Sequence, residues 1–539
     1  MNQRQSAFDL HLEKANTFLS SKQFREAEKI VLTLVAEQPK NVDVAILLSI
    51  ISERRGMIYQ QISSLEKVRE FSDTRKEVFI HLAFAYLKIG NFGQAGIDAS
   101  NAIEDIHPPP DILQAAAKIF HAVGAYQKCA DALELAITRG AITDAIFYEL
   151  GMALTLIGSI TMAQKAYEKC LSLNPSHNLA YAGISKIRKA TPEVNHISIM
   201  TQLIKLQRNP WKAINLHHGL AKELDDISQY QLAFSTLKNG KKKLATSCPH
   251  SPFKCADNIN HLLEVYKHQF AELKDVGNVD FNTEKAPIFV VGMPRTGTTI
   301  VERILSNHSH VSSIGESLQL SMQLKKELDH EFSGLVDASV LQQLWSTIDF
   351  KKLGTNYLSS TEYLHKNEGR FVDKLPLNIQ LAGIVLRAIP AAKIVCLVRD
   401  PLDTLIGNYR QVFEYSSPNY TYTLNIEACA QFIIGFRRLV DWLDNTFPER
   451  FSKIAYEKIV NNPEMSARNI LQFCALEWEE GCIDIHKNTA SIGTASAAQV
   501  KEPIHQRSKG KALHYKEWIE TALKPETLST LKSLAHDNN

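Results

Sequence analysis

The chain of 539 residues has no excess of either charge and no long apolar run. Its 60 lysines and arginines stand against 58 aspartates and glutamates, which leaves a formal net charge of +2 at pH 7. This balance gives no bulk attraction to nucleic acid or to a membrane surface, so any anion site must be local. No apolar stretch approaches the length of a membrane span, and the first residues lack the apolar core of a secretory signal. The sequence therefore predicts a soluble, cytoplasmic protein that neither enters membranes nor binds nucleic acid.

Cysteine is also scarce, with eight scattered residues and no Cys-x-x-Cys pair. No two cysteines have the spacing of a zinc site, and reduced thiols are the expected state. His308 and His310 stand two residues apart with no carboxylate motif nearby, which is a poor arrangement for a metal. We therefore expect no metal, and we assign these two histidines to a turn.

An alanine recurs at a fixed interval through the first third of the chain. Ala27, Ala95 and Ala163 lie 68 residues apart, which is two periods of 34. A 34-residue period is that of the tetratricopeptide repeat, a helix–turn–helix unit in which small residues let the paired helices approach closely. The stretch 144–175 fits the repeat pattern best. About five such units over residues 8–177 predict an α-solenoid.

The repeat pattern ends near residue 177, although the residues that follow keep a helical spacing. Thr191-Pro192 interrupts the next 34-residue window. We interpret the run Lys241–Lys243 as a solvated helix end rather than a nucleic-acid patch. A polar stretch at 276–285 marks a second boundary. The predicted organisation is a repeat array at 1–177, a helical extension and linker at 178–280, and a third domain at 281–539.

Short apolar runs alternate with helical segments throughout that third domain. Strands are predicted at 288–291, 370–372, 393–398 and 452–455. The two inner runs are rich in Val and Ile, which is typical of buried parallel strands. This alternation predicts a doubly wound parallel α/β sheet, a fold that binds ligands at the carboxyl ends of its strands.

The first predicted strand leads into the stretch Gly292-Met-Pro-Arg-Thr-Gly-Thr-Thr299. Its Gly-x4-Gly spacing is that of a phosphate-binding P-loop, but Thr298 stands where the nucleotide-triphosphate loop has a lysine. Backbone N–H groups at a helix N-terminus should still hold an anion. Because no lysine can reach a γ-phosphate, we expect a nucleotide with a 5′-phosphate-like group and no Mg-bound triphosphate.

With Pro294 and Arg295 inside it, this loop resembles the 5′-phosphosulfate loop of sulfotransferases. Nearly the whole chain resembles proteins in which tetratricopeptide repeats are fused to a sulfotransferase domain, and its catalytic half resembles tyrosylprotein sulfotransferases. The resemblance implies an enzyme that uses 3′-phosphoadenosine 5′-phosphosulfate (PAPS) without a metal. It also implies that the repeats bind a protein or peptide. The loop residues implied to contact the donor are Arg295, Thr296, Gly297, Thr298 and Thr299.

The same resemblance gives catalytic roles to two residues beyond the loop. Glu316 matches the general base that takes the proton of the acceptor hydroxyl, work that suits a buried carboxylate with a raised pKa. Its alternative is a helix-capping or surface glutamate. Lys374 matches the lysine that, with Arg295, stabilises charge on the bridging oxygen as the sulfuryl group leaves. Its alternative is a solvated lysine at a strand end.

Further nucleotide contacts are implied in the second half of the domain. Arg399 is implied to bind the 3′-phosphate, because the fork of an arginine suits bidentate binding of a phosphate. The serine that the family has eight residues after this arginine is Gly407 in this chain. Asn408 is the candidate substitute for that serine. Lys509 is the alternative to Lys511 as the basic residue near the 3′-phosphate. The residues implied by the resemblance are Arg399, Tyr456, Ser496 and Lys511.

Two other functions stay open at the level of the sequence. A P-loop kinase or nucleotide triphosphatase would need a magnesium-binding aspartate, for which Asp400 is the one weak candidate. A non-catalytic adaptor would bind partners through its repeats and keep the α/β domain as a nucleotide-binding relic. The acceptor is equally open among protein tyrosine, another protein hydroxyl, a glycan and a small metabolite.

Overall fold

The chain folds into two compact units, Met1–Leu173 and Asn174–Asn539. The computed structural model describes residues 2–55, 57–69, 75–104, 107–271, 285–330, 334–364, 369–488 and 502–536. The first unit is built from helices in its described part, and the second combines further helices with a parallel sheet. The helical residues after 177 thus belong to the same compact unit as the sheet, and the limits of a separate extension stay a prediction.

Helices of the first unit pack in consecutive pairs, as tetratricopeptide repeats do. Its described part contains α1 (Asn2–Ser20), α2 (Phe24–Glu37), α3 (Val42–Arg54), α4 (Ile58–Arg69), α5 (Lys76–Lys88), α6 (Phe92–Ala102), α7 (Pro110–Ala122), α8 (Tyr126–Thr138), α9 (Asp144–Ile157) and α10 (Ile160–Leu173).

Small residues sit where paired helices approach each other. Ala27, Ala95 and Ala163, the alanines that revealed the period, have no solvent-exposed surface. At Gly151 an added Cβ would lie 2.7 Å from the ring of Tyr167, so no larger side chain fits. The predicted helical repeat array is confirmed, and close packing between α9 and α10 explains the small residue at that position.

The second unit opens with five helices that precede the sheet, and we call residues 174–271 the helical extension. Its last helix packs on the sheet domain: the hydroxyl of Tyr266 donates to the carbonyl of Gln380 at 2.6 Å, and an added Cβ on Gly383 would lie 2.5 Å from its ring. The helices are α11 (Asn178–Ile187), α12 (Ile197–Leu206), α13 (Pro210–Asp226), α14 (Tyr230–Ala245) and α15 (Lys254–Ala271).

Lys241 on α14 is fully buried, so the interpretation of Lys241–Lys243 as a solvated helix end is wrong for its first residue. Its Nζ donates to the carbonyl oxygens of Gln411 and Thr423, each at 2.9 Å. Its ammonium also lies 4.9 Å from the ring centroid of Tyr409. Burial lowers the pKa of Lys241 to about 7. The lysine is therefore a tie between the extension and the sheet domain.

The sheet has five parallel strands in the order β2-β3-β1-β4-β5, which confirms the predicted parallel α/β fold. The four predicted strands are present. The edge strand β2 was not predicted, because its sequence Val-Ser-Ser-Ile-Gly has no continuous apolar run and its residues after the first are only partly buried. The strands are β1 (Ile288–Gly292), β2 (Val311–Gly315), β3 (Arg370–Asp373), β4 (Lys393–Val398) and β5 (Phe451–Ala455).

Helices and short 3-10 turns connect and flank these strands. One 3-10 helix, Lys511–Tyr515, becomes important below. In the described part of the chain, no helix is long and apolar enough to cross a membrane. The α-helices after β1 are α16 (Thr298–Ser306), α17 (Gln319–Glu327), α18 (Ala338–Leu344), α19 (Phe350–Thr361), α20 (Ala382–Ala388), α21 (Pro401–Tyr409), α22 (Ile426–Thr446), α23 (Tyr456–Asn461), α24 (Pro463–Phe473), α25 (Lys516–Ala522) and α26 (Pro525–His536).

A buried carboxyl group closes β3. Asp373 has no exposed surface, and its two oxygens accept hydrogen bonds from the hydroxyl of Tyr357 at 2.8 Å and from Nδ2 of Asn378 at 3.3 Å. Burial raises the pKa of Asp373 to about 7. This network joins β3 to α19 and fixes the backbone just before Lys374.

Replacing Lys241 by methionine should destabilise the second unit by about 3 kcal/mol, because two buried carbonyl groups would lose their donor. Urea unfolding followed by tryptophan fluorescence reports this unit alone, since all five tryptophans lie within it. The neighbouring Lys242 is exposed, so Lys242→Met is the matched control and should change stability by less than about 0.5 kcal/mol. Equal effects of the two substitutions would contradict the role given to Lys241.

Asp373 should also make stability depend on pH. Because its pKa is raised on folding, the folded unit holds a proton that the unfolded chain releases from about pH 4 upward. The stability gained from that proton is present at low pH and is lost as pH rises toward about 7. The advantage of Asp373→Asn over the wild type should therefore grow by up to about 1.4 kcal/mol per pH unit between pH 5 and 7 and then level off. A difference in unfolding free energy that is constant from pH 5 to 8 would contradict the buried, protonated state.

Candidate active site

Four of the five strands end directly before a residue that the sequence marked as functional, and β1 leads into the predicted anion-binding loop. The loop follows Gly292 at the end of β1, and one such residue directly follows each of β2, β3, β4 and β5. Because carboxyl ends of parallel strands meet at one edge of the sheet, these groups are gathered on that edge. The four residues are Glu316, Lys374, Arg399 and Tyr456.

The loop between β1 and α16 has a backbone that depends on its two glycines. Gly297 has φ of +101° and Arg295 has φ of +68°, both in the left-handed region. An added Cβ would lie 2.7 Å from the carbonyl oxygen of Leu397 at Gly292, and 2.6 Å from the ring of Tyr456 at Gly297. Close approach thus requires both glycines, and the positive φ is a second requirement for Gly297.

Beyond the second glycine the chain enters α16 at once. Thr296 closes the loop by donating from Oγ1 to the carbonyl of Met293 at 2.7 Å. Thr298 and Thr299 form the buried first turn of the helix, and Gly297 provides no side-chain cap for it. The N-terminal N–H groups and the helix dipole therefore act at the loop, an arrangement that favours an anion.

Lys374 lies between two carboxylates. Its buried Nζ is 2.6 Å from Oε1 of Glu316 and 3.6 Å from Oε2 of Glu302. Glu302 is buried on α16 and accepts a hydrogen bond at 2.7 Å from the hydroxyl of Ser313 on β2. The lysine is therefore not the solvated strand-end residue that was its alternative, and its ammonium is held from two sides.

Glu316 is exposed, with 35% of its side-chain surface accessible, where we expected a buried carboxylate. The reason is its position: it directly follows the edge strand β2, so protein covers it on fewer sides than a residue after a central strand. Its one recorded side-chain partner in the described residues is Lys374. The buried carboxylate beside the lysine is Glu302, which the sequence patterns did not single out.

Arg399 is buried and extensively bonded within the protein. Its Nη1 donates to the carbonyl of Arg295 at 3.1 Å, and its Nη2 donates to Asp403 at 2.9 Å and to the carbonyl of Ser508. Its guanidinium lies 4.7 Å from the ring centroid of Tyr456. The arginine thus connects the loop, α21 and the C-terminal segment. An anion would bind to a guanidinium that these contacts have already oriented.

Asp403 is a residue of the candidate site that the sequence patterns did not reveal. Besides Arg399, it accepts hydrogen bonds from the backbone N–H groups of Gly510 and Ala512, each at 2.8 Å. The signal that could have found it is the short Arg-x3-Asp spacing, in which Arg399 directly follows β4 and Asp403 lies in the first turn of α21. Asp403 thereby ties the segment that carries Lys511 to Arg399.

Gly407 stands where the family has a serine, and Asn408 was the candidate substitute for that serine. An added Cβ there would lie 3.4 Å from Cβ of Arg295, so this position does face the loop arginine. Asn408 is not a substitute for the missing serine, since its Nδ2 donates to the carbonyls of Pro294 and Thr404, and its Oδ1 accepts from Tyr422. Asn408 supports the loop from beneath and leaves no group for a phosphate.

Two lysines in the C-terminal segment were alternatives for one role, and their positions differ. Lys509 donates from Nζ to Asn461 at 3.0 Å on the surface. Lys511 has its pKa lowered, first by desolvation and then by the positive charge of Arg410, with smaller contributions of the same sign from Arg295 and Arg399. Lys511 is therefore the lysine near the arginines. Ser496 lies outside the described residues.

The two histidines considered for a metal lie in a turn between α16 and β2, as expected. Nε2 of His308 is 3.0 Å from the carbonyl of Glu477 and 3.5 Å from the carboxylate of Glu479. Within the described ranges, no group of three His, Cys, Asp or Glu side chains is placed to hold a metal ion.

Comparison with known families agrees with this arrangement. Residues 287–480 match the model of the sulfotransferase family, and residues 145–177 match that of the tetratricopeptide repeat. The first match covers all five strands, and the second covers α9 from its second residue, α10 and the turn between them.

Relatives of this chain include an uncharacterized protein of Aquifex aeolicus, 27% identical over 403 residues that make up 73% of this chain and 51% of that protein. Protein-tyrosine sulfotransferase A of Caenorhabditis elegans is 22% identical over 39% of this chain and 56% of its own length. The protein-tyrosine sulfotransferase of Drosophila melanogaster is 23% identical over 38% and 40%, respectively. The chain therefore spans about half the length of these relatives.

Among solved structures, the sulfotransferase domain from the curacin biosynthetic pathway aligns with 47% of this chain and 98% of its own, with 18% identity and a TM-score of 0.31. PilF of Pseudomonas aeruginosa aligns with 43% of this chain and 99% of its own, with 11% identity and a TM-score of 0.32. Neither superposition bears on function. The family matches thus identify a sulfotransferase-family domain at residues 287–480 and a tetratricopeptide repeat at residues 145–177.

Proposed function

We propose that the second unit is a PAPS-dependent sulfotransferase that moves a sulfuryl group to a hydroxyl acceptor. The observation that carries the proposal is the edge of the sheet, where an anion-binding loop, a doubly held lysine and an oriented arginine follow successive strands. The match of residues 287–480 to the sulfotransferase family supports the same reaction class.

Electrostatics at the loop support an anionic donor. Burial, together with the positive charges of Arg399 and Arg410, lowers the pKa of Arg295 to about 10. Cations that repel one another in this way are stabilised when an anion binds between them. The loop lacks the lysine of triphosphate sites, and its N–H groups suit the 5′-phosphosulfate, while Arg399 and Lys511 suit the 3′-phosphate.

In the proposed reaction, Glu316 takes the proton of the acceptor hydroxyl as that oxygen attacks sulfur. The new bond joins the acceptor oxygen to sulfur, and the bond between sulfur and the bridging oxygen of the 5′-phosphate breaks. Adenosine 3′,5′-bisphosphate leaves with the electron pair of the broken bond. The exposure of Glu316 supports this role, since an acceptor must reach it from solvent.

Lys374 would stabilise the charge that develops on the bridging oxygen. Its contact with Glu302 is independent of Glu316, so the ammonium stays in place when Glu316 becomes neutral by accepting a proton. Glu302 acts in this scheme as a positioning residue. Arg295 would share the charge of the leaving group, as part of the loop that holds it.

Two rival functions have less support. For a kinase, Thr298 replaces the loop lysine, and the carboxylate of Asp400 caps α21 by accepting from the N–H of Asp403 at 2.8 Å, so it already has a structural role. For a non-catalytic adaptor, the intact set of Glu316, Lys374 and Arg399 is unexplained.

The repeat array is proposed to bind a protein or peptide. Since two relatives are protein-tyrosine sulfotransferases, tyrosine is the first acceptor to test, ahead of glycans and small hydroxyl compounds.

Calorimetric titration tests the donor site. The full chain should bind adenosine 3′,5′-bisphosphate more tightly than 5′-AMP or Mg-ATP, and Arg399→Ala should weaken bisphosphate binding at least about tenfold, because a charge-assisted contact contributes about 1.5–3 kcal/mol. Arg468, an exposed arginine paired with Glu464 on α24, supplies the control Arg468→Ala. Preference for Mg-ATP would support the kinase, and failure to bind any of the three nucleotides would remove the donor site.

Glu316→Gln should reduce sulfuryl transfer from PAPS by about 10²-fold or more, because the general base is lost while the side chain keeps its shape. Affinity for adenosine 3′,5′-bisphosphate should stay within a few-fold of the wild type. Transfer is measured with radiolabelled PAPS and whichever acceptor is active among tyrosine peptides, glycans and simple phenols. The control is Glu464→Gln, the partner in the same surface pair. Normal turnover by Glu316→Gln would show that Glu316 is not the base.

A further inference from the structure

Arg410 lies at the C-terminal end of α21, the helix that also carries Asp403 and Gly407. Neither the family resemblance nor the spacing of motifs assigned it a role. Gly407 stands one helical turn before it and faces Arg295 across 3.4 Å, measured from an added Cβ. Position 407, which faces the loop, therefore lacks a hydroxyl, and an arginine follows one turn later.

A carboxylate from the helical extension holds this arginine. Oδ2 of Asp225, on α13, is 2.5 Å from Nη2 of Arg410, and the other oxygen of Asp225 accepts from the hydroxyl of Tyr515. The guanidinium lies 5.4 Å from the ring centroid of Tyr515. Three elements that are far apart in sequence thus meet at one ion pair: α13, α21 and the 3-10 helix Lys511–Tyr515.

The extension also fixes the backbone beside Arg410. Lys241 donates to the carbonyl of Gln411, the next residue, at 2.9 Å. One contact from α13 therefore holds the side chain of Arg410, and one from α14 holds the chain that carries it. Neither contact involves the sheet, so the extension holds both the side chain of Arg410 and the backbone beside it.

Two donor-site cations lie near this arginine. Lys511 begins the 3-10 helix whose last residue, Tyr515, stacks on the guanidinium of Arg410. After burial, the charge of Arg410 is among the causes that lower the pKa of both Arg295 and Lys511. Asp225 occupies one nitrogen of a group with five N–H donors, and the arginine side chain keeps 23% of its surface exposed. Donors of Arg410 are therefore left for an anion.

We propose that Arg410 binds the 3′-phosphate of the donor nucleotide, in place of the hydroxyl that Gly407 lacks, and that Asp225 of the helical extension positions it. The inference rests on the proposed function, since it assigns residues to the donor site of that enzyme. It makes the helical extension a part of the nucleotide site rather than a spacer between repeats and sheet.

The test compares adenosine 3′,5′-bisphosphate, which carries the 3′-phosphate, with adenosine 5′-phosphosulfate, which lacks it and carries a sulfate on its 5′-phosphate, by calorimetry on the full chain. Arg410→Gln should weaken bisphosphate binding about tenfold or more and leave phosphosulfate binding within about twofold. Asp225→Asn should weaken bisphosphate binding by a smaller factor with the same selectivity. A general loss of stability would lower both affinities and leave their ratio unchanged, so the ratio isolates the proposed contact.

Asp226 supplies the matched control on the same helix. Its carboxylate bonds Lys222 at 2.6 Å and the N–H of Ala190 at 2.7 Å, both inside the extension, so Asp226→Asn should leave the affinity ratio of the two nucleotides unchanged. Arg410→Lys, which keeps the charge but loses the fork, should fall between wild type and Arg410→Gln, and it serves as the second variant if Arg410→Gln does not fold.

The outcomes separate this inference from the proposed function. Bisphosphate binding that requires Arg399 but is the same in Arg410→Gln and wild type would overturn the inference and leave the sulfotransferase intact. A ratio altered by Arg410→Gln but not by Asp225→Asn would overturn the positioning role of Asp225. Wild-type protein that binds neither nucleotide would overturn the proposed function itself, and the inference with it.

Discussion

The parallel order of the sheet is the constraint on which the site depends. In parallel strands all carboxyl ends lie at one edge, so the residue after each strand is brought to the same place whatever the distance along the chain. Here the five strands β2-β3-β1-β4-β5 deliver Glu316, Lys374, the loop, Arg399 and Tyr456 to that edge. An antiparallel pairing of any one strand would send its group to the opposite edge. The chemistry of the site is therefore set by strand direction before any side-chain contact forms.

Three cations of the candidate site already have a carboxylate partner. Lys374 lies between Glu316 and Glu302, Arg399 lies against Asp403, and Arg410 lies against Asp225. Buried cations would be costly without such partners, because desolvation of an isolated charge exceeds the gain from most single contacts. Each partner also orients its cation, which reduces the ordering that an anion must impose when it binds. Pairing thus makes a cationic site compatible with a folded, water-poor interior.

Local pattern was enough to predict the elements and most of the candidate site. The period of the alanines at 27, 95 and 163 reflects helices that must pack closely, and a valine-rich run such as Lys393–Val398 reflects burial on both faces. Edge strand β2 escaped prediction because an edge needs no continuous apolar run. Lys241 escaped because its partners, Gln411 and Thr423, lie 170 and 182 residues away.

The role of Asp225 escaped prediction for the same reason as that of Lys241, and so did the contacts of Asp403 with Gly510 and Ala512, which lie 107 and 109 residues away. Asp225 meets Arg410 across 185 residues and Tyr515 across 290, distances at which spacing in the sequence carries no information. A loop motif is short because consecutive backbone N–H groups bind the anion. A paired cation instead needs a carboxylate, which the fold can supply from a distant part of the chain. Sequence patterns therefore identify the groups that would contact the donor more readily than the groups that hold them.

The helical extension is a structural part of the sheet domain. It contributes a fully buried lysine, a carboxylate at Arg410 and the close packing of Tyr266 on Gly383. Charged groups in such positions are stable only while their partners are present, since a lone buried charge or an unsatisfied carbonyl costs more than the pair contributes. The extension and the sheet domain must therefore form together. This joint folding accords with the single compact unit Asn174–Asn539.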